Sequence, residues 1–110
     1  MEVEFEDRRF GRLCNSKRDL ERAHGRRRAR LIARRLQVLQ AADNLEDLRH
    51  APGRHHELTA NRAGTFTVDL DGPYRLAFRP SAVPPPAKPD GGIDWRAVTA
   101  VTVIGIIDPH

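Results

Sequence analysis

Residues His55 to Phe78 read HHELTANRAGTFTVDLDGPYRLAF, and this stretch decides the fold. Its alternation predicts three short strands joined by two tight turns. The first strand covers 56–59 and the first turn 60–64. The second strand covers 65–71, with Phe66, Val68 and Leu70 toward the core and Thr67 and Asp69 away from it. Gly72-Pro73 breaks the chain. On the third strand, over 74–79, Tyr74, Leu76 and Phe78 point one way and Arg75, Ala77 and Arg79 the other. The two arginines therefore share a face. Adjacent strand residues face opposite ways, so only one of His55 and His56 joins them.

Working outward, Val98 to Ile107 is β-branched and apolar on both faces, which predicts an interior strand. It leads to Asp108 and His110. Between the strands, residues 80–92 hold five prolines with no periodicity. An extended or mobile hairpin insertion is expected there, not a domain boundary.

The N-terminal half reads differently. Glu2 to Phe5 alternates, as an edge strand does. Asp7 can cap a first helix, and Ser16 with Asp19 three residues on resembles a capping box. Gly25 separates the next two helical stretches. From Arg26 to Ala42 the helical signal is strongest: Ala29, Ile32, Leu36 and Leu39 form an apolar stripe, and Arg27, Arg30 and Arg34 lie on another face. Between Lys17 and Arg35 nine basic residues stand against two acidic ones. Such a face can track phosphates or simply be solvated. Asp43 followed by Glu46 signals a single helical turn over 44–48. The order of strand, helices, then four strands is α+β, with helices on one face of a mainly antiparallel sheet.

Bulk properties fit one domain. The chain has 110 residues, 39% apolar and 31% charged, with a formal charge of +4. That balance supports a modest core and favours an anionic partner. Cys14 is the single cysteine, so no internal disulfide can form. No apolar run approaches the roughly 20 residues of a membrane span, and Met1 leads into acidic residues rather than a signal peptide. A soluble, cytoplasmic protein without a membrane partner is expected.

Chemistry on a phosphodiester is the reading that uses these residues best. RNA is cut without a metal when a base takes the 2′-OH proton, a cation stabilises the phosphorane and an acid protonates the leaving 5′ oxygen. Histidine suits the proton transfers, and the arginine fork suits the phosphorane. The candidates are His55, His56 and His110, with Arg62, Arg75 and Arg79. Surface His and Arg on a basic sheet are also commonly just solvated. Cys14, His24, His50, His55 and His56 lack the paired spacings of a zinc site, and no P-loop, Rossmann glycine pattern or nucleophile elbow is present. No cofactor or metal is expected.

The run H-E-L-x-x-x-R-x-G (His56, Glu57, Leu58, Arg62, Gly64), then G-x-Y-R-L-x-F (Gly72, Tyr74, Arg75, Leu76, Phe78), then D-x-H (Asp108, His110) resembles HigB-type toxins of the RelE/ParE superfamily. The resemblance covers nearly the whole chain apart from the proline-rich insertion. It implies two or three helices on a curved four- or five-stranded sheet, a RelE-like fold. It implies a ribosome-dependent mRNA endonuclease, the toxin of a toxin–antitoxin pair, that cleaves in the A site without metal. The implied partners are a HigA-like helix-turn-helix antitoxin, the ribosome and mRNA, with operator DNA reached only through the antitoxin.

Residue by residue, the resemblance gives His56 and His110 as catalytic histidines and Asp108 as the C-terminal acid. It gives Arg75 as the strand arginine at the scissile phosphate, and Arg62 as a turn arginine. Arg79, Arg27, Arg30 and Arg34 are the further RNA- or ribosome-binding candidates. Two positions depart from the family. Pro109 stands where a tyrosine is usual, which removes an aromatic platform. Thr59 stands where a lysine is frequent, a loss that Arg54 or Arg79 can compensate. A ParE-like gyrase inhibitor and a degenerate toxin that only binds its antitoxin are the competing readings.

Overall fold

Capping side chains set the helical half. In the computed structural model, which describes residues 1–108, Asp7 accepts from the Arg9 N–H and starts α1 (Arg8–Cys14). Ser16 Oγ accepts from the Asp19 N–H and starts α2 (Lys17–His24). Gly25, at φ +81°, separates α2 from α3 (Arg26–Ala41). That left-handed angle costs glycine little, because it has no Cβ. A 3-10 turn follows at Leu45–Leu48. Asn44 caps it, not Asp43: Asn44 Oδ1 accepts from the Asp47 N–H, while the Asp47 carboxylate accepts from the Asp43 N–H.

Five strands form one sheet in the order β1-β5-β4-β3-β2. They are β1 (Glu2–Phe5), β2 (His56–Glu57), β3 (Phe66–Asp69), β4 (Arg75–Pro80) and β5 (Ala100–Ile107). β1 runs parallel to β5, and the other pairings are antiparallel. The fold is α+β with a mainly antiparallel sheet, as expected, and β5 is interior, as its two-sided apolar sequence requires. β2 is shorter than the strand expected over 56–59. Ala60, at φ +57°, opens a 3-10 turn (Ala60–Arg62) that carries the chain away from the edge. Leu58 N–H still donates to the Thr65 carbonyl, so the pairing outlasts the strand by one residue.

The helices cover one face of the sheet. The α3 stripe of Ala29, Ile32, Leu36 and Leu39 is buried with Phe66, Val68, Leu76, Phe78, Val101 and Val103. Each of the larger side chains contributes about 1.5–3 kcal/mol by leaving water. Phe66 and Phe78 are cross-strand partners whose rings stack 5.8 Å apart. Trp95 meets the edge of Phe66 at 5.1 Å and carries the Arg49 guanidinium on its ring.

Two arginines of α3 fasten the layers together. Arg28 bonds Asp71 through two nitrogens at 2.9 and 3.1 Å and lies on the Tyr74 ring. Its hydrogen bonds hold the Asp71 carboxyl below the usual range. Arg35 Nε donates to the Asp69 carbonyl at 2.9 Å. Residues 80–92, expected as an extended or mobile hairpin insertion, close into a short hairpin at their far end. Ala87 pairs with Ile93, and the Lys88 N–H donates to the Gly92 carbonyl. Among the described residues no helix is long and apolar enough to cross a membrane.

His55 and His56 part as the strand period demands. His55 is buried, its ring 6.3 Å from that of Phe78, and among the described residues neither ring nitrogen has a well-formed hydrogen bond. Burial, reinforced by nearby Arg35, pushes its pKa from 6.5 down to about 4. The native protein thus keeps His55 neutral where the unfolded chain takes a proton. Stability falls as pH drops from about 6.5 toward 4, by up to on the order of 3 kcal/mol, and this group costs nothing further below that. Denaturant unfolding at pH 7 and pH 4.5 checks this. His55→Phe should lose less stability than the wild type over that interval, and equal losses would mean another group titrates.

Candidate functional site

The sheet face away from the helices carries three cross-strand rows. Strand register sets them: residues two apart on one strand share a face and lie about 6.8 Å apart. The hairpin-end row is Arg54, Asp69, Arg75 and Ile107, joined by the Asp69–Arg75 and Arg75–Ile107 pairings and by an Arg54–Asp69 ion pair. The middle row is His56, Thr67, Ala77 and Gly105. The third row contains Leu58 and Thr65, joined by a backbone hydrogen bond, and Arg79 paired with Thr102.

The middle row is low because Ala77 and Gly105 are adjacent and small. A Cβ on Gly105 would meet nothing within 4 Å. Over this row lies a groove of about 460 Å³, lined by Leu58, Arg62, Thr65, Ala77, Ile104, Ile107 and Asp108. Ile104 and Ile107 reach the same groove although they are three residues apart. A β-bulge makes that possible: Ala77 pairs with Gly105 but Phe78 pairs with Val103, leaving Ile104 as the extra residue in β5.

His56 stands at the outer end of the middle row and is exposed. Its Nδ1 lies 3.2 Å from the Arg54 carbonyl, and its Nε2 lies 3.5 Å from Thr67 Oγ1. A carbonyl only accepts, so Nδ1 carries the hydrogen in that contact. Nε2 is then the basic nitrogen, on the side toward Thr67. Thr67 itself points away from the core, as expected, yet is buried beneath its neighbours on this face.

Arg62 comes from the 60–62 turn. Glu57 steadies that turn, because its Oε2 accepts from the Gly64 N–H at 2.9 Å. The run H-E-L-x-x-x-R-x-G thus has a physical reading: its glutamate braces the loop that presents its arginine. Asp108 reaches the groove at the end of β5. His110 lies outside the described residues.

Arg75 shares the face but does not line the groove. Its Nε sits 2.8 Å from Asp69 Oδ1, and its Nη1 donates to the Gly72 and Tyr74 carbonyls at 3.1 and 2.9 Å. The contact with Oδ1 is ionic, since that buried oxygen has no well-aligned hydrogen bond. Arg79 stands at the other end of β4, 3.7 Å from Glu6, beside a smaller opening of about 260 Å³ next to the proline-rich hairpin.

Arg27, Arg30 and Arg34 are exposed on α3. At 3.6 residues per turn they cluster on the side opposite the buried stripe. They therefore belong to the opposite layer from the groove, and the structure does not join them to His56 and Arg62. Of the nine basic residues between Lys17 and Arg35, Arg28 and Arg35 are spent on holding the layers together. Cys14 is half-buried in the helical layer, and burial pushes its thiol up to about 11, which keeps it protonated. Among the described residues no group of three or more His, Cys, Asp or Glu is placed to hold a metal ion.

Sequence reasoning missed the part played by Asp69. Its two oxygens meet Arg54 at 2.6 Å and Arg75 at 2.8 Å. The only signal was its place opposite the arginine face of the next strand. Asp69→Asn should lower unfolding stability by roughly 1–3 kcal/mol, because it leaves the largely buried Arg75 without its counter-charge. Arg54→Ala should cost less than about 1 kcal/mol, since that side chain is 74% exposed. Urea unfolding of the two variants checks the order, and a costlier Arg54→Ala would reverse it.

Neither a protein-family model nor a curated protein matches this chain.

Proposed function

We propose that this protein is a ribosome-dependent mRNA endonuclease of the HigB type, acting as the toxin of a toxin–antitoxin pair. One observation carries the reading. Arg62 and Asp108, far apart in sequence, line one groove with Ala77, and His56 stands in the same cross-strand row as Ala77 and Gly105. A sheet face with a histidine, an arginine and a carboxylate about an open groove suits an extended RNA strand better than a closed small-molecule pocket does.

In this reading the scissile phosphate lies over Ala77. His56 Nε2 exchanges a proton at one reacting oxygen. The Arg62 guanidinium donates to the phosphorane oxygens as charge builds there. The resemblance supplies the second proton carrier as His110. Attack by the 2′-OH forms a bond to phosphorus and breaks the bond to the 5′ oxygen. The products are a 2′,3′-cyclic phosphate and a 5′-hydroxyl, with the proton passing from the 2′ oxygen to the 5′ oxygen through the side chains. The resemblance also supplies the HigA-like antitoxin and a cytoplasmic site of action.

The exposed arginines of α3 favour a separate contact. Because they face away from the groove, they suit a second surface that touches ribosomal RNA while the groove holds the message. The same separation favours a second reading, a degenerate toxin that only binds. There the α3 face engages an acidic antitoxin and no cleavage occurs.

Mapping 5′ ends of an mRNA on programmed ribosomes tests the proposal. Cuts should appear with the wild type and should slow by about 10²-fold or more in His56→Ala, Arg62→Ala and His110→Ala, the usual scale for losing an acid/base or charge-stabilising group. Full activity in all three variants would sink the site. No cuts from a folded wild type that still binds an antitoxin would move the reading to the binding-only protein or to a ParE-like gyrase inhibitor.

A further inference from the structure

The hairpin-end row holds two cations on one anion. Arg54 and Arg75 meet Asp69 through their Nε atoms, at 2.6 and 2.8 Å. Arg75 Nη1 is turned back onto the Gly72 and Tyr74 carbonyls. Among the described residues, both Nη groups of Arg54 and the Nη2 of Arg75 have no hydrogen-bond acceptor. Arg35 backs the same aspartate by donating to its carbonyl. The cluster thus keeps a net positive charge and a set of unused donors on the free face.

The backbone that delivers Arg54 is strained. Arg54 has φ +57° and follows Gly53 at φ +104°. A Cβ on Gly53 would stand 2.7 Å from Val68 Cγ2 and 2.9 Å from Arg35. Left-handed non-glycine residues persist only where the surroundings over-determine them, and they cluster at ligand clamps. Here the Gly53 carbonyl accepts from the Asp69 N–H at 2.7 Å, so one residue fixes both the loop and its arginine.

We infer that Arg54 and Arg75, clamped side by side on Asp69, form a second phosphate-binding subsite. It takes the phosphodiester next to the one over Ala77. This deepens the nuclease reading and rests on it for the identity of the strand as RNA. The subsite lies one row from His56, a separation of about 6.8 Å, which neighbouring phosphates of an unstacked strand can span. Arg75 then acts as a binding group for the flanking phosphate and not as the cation on the scissile one, the place Arg62 takes.

The test is binding of a labelled 2′-O-methyl RNA hexamer, which cannot be cleaved by 2′-OH attack, measured by fluorescence anisotropy across a salt series. Arg54→Ala should weaken binding about 5- to 10-fold at low salt. It should also reduce the slope of log affinity on log salt by about 0.7, the share of one phosphate contact on a single strand. Arg54→Lys should recover the slope but not the full affinity, because it keeps the charge and loses the fork. An unchanged slope and affinity in Arg54→Ala, or no binding by the wild type, overturns the subsite. Cleavage assayed in parallel separates the two ideas. Arg54-dependent binding without cleavage keeps the subsite and removes the nuclease. Cleavage with binding indifferent to Arg54 does the reverse.

Discussion

One aspartate ties the molecule together. Asp69 ends β3, and its carbonyl receives Arg35 from α3, its N–H reaches Gly53 in the loop before β2, and its carboxylate holds Arg54 and Arg75. Four segments distant in sequence are thereby fixed relative to one another at a single residue. Apolar packing supplies most of the folding energy, but it is not directional. The register of the helix layer on the sheet, and the direction in which the free face presents its side chains, follow from this polar knot and from the Arg28–Asp71 pair beside it.

Charge is divided between two layers. Arg27, Arg30 and Arg34 form a solvent-facing cationic strip behind the sheet, while the groove in front mixes histidine, arginine and carboxylate. On the far side of the front face, Glu2 and Glu4 of β1 are exposed and Glu6 faces Arg79. The front is therefore not a uniformly basic surface. It is polar at its centre, basic at the hairpin end and acidic at the β1 edge, so an anionic strand would be steered toward β2–β4. In the nuclease reading, the back strip supplies non-specific affinity and the front supplies position and chemistry.

Much of this was legible in the sequence, for reasons tied to particular residues. Phe66, Val68, Leu76 and Phe78 keep strict alternation, so the core face and the arginine face of β3 and β4 follow directly. His55 and His56 separate because a strand turns each residue over. Asp7 and Ser16 cap helices because their short oxygen-bearing side chains reach the first free N–H groups. Other features depended on contacts between distant residues. Arg28 and Arg35 look like part of a nucleic-acid face until Asp71 and Asp69 are brought against them. Arg75 looks free until the hairpin carbonyls claim it. Arg54 carries no periodic signal, since it lies in a loop whose shape comes from Gly53 packed on Val68. β2 stops short of Thr59 because Ala60 adopts a backbone angle that its side chain does not advertise.

The extra residue at Ile104 has a consequence for how such a face can change over time. A strand is a two-phase object, and one inserted residue exchanges the phases for everything downstream. In β5 the phase before the bulge sends Val101 and Val103 inward, and the phase after it sends Gly105 and Ile107 to the groove side. Gly105 and Ile107 are thus addressed to one side of the sheet by a local miscount, not by their own identity. Loss or gain of one codon near that point would swap the side without altering any groove residue of β2, β3 or β4. Front-face function can therefore be switched off in a single step while the hydrophobic core upstream stays intact.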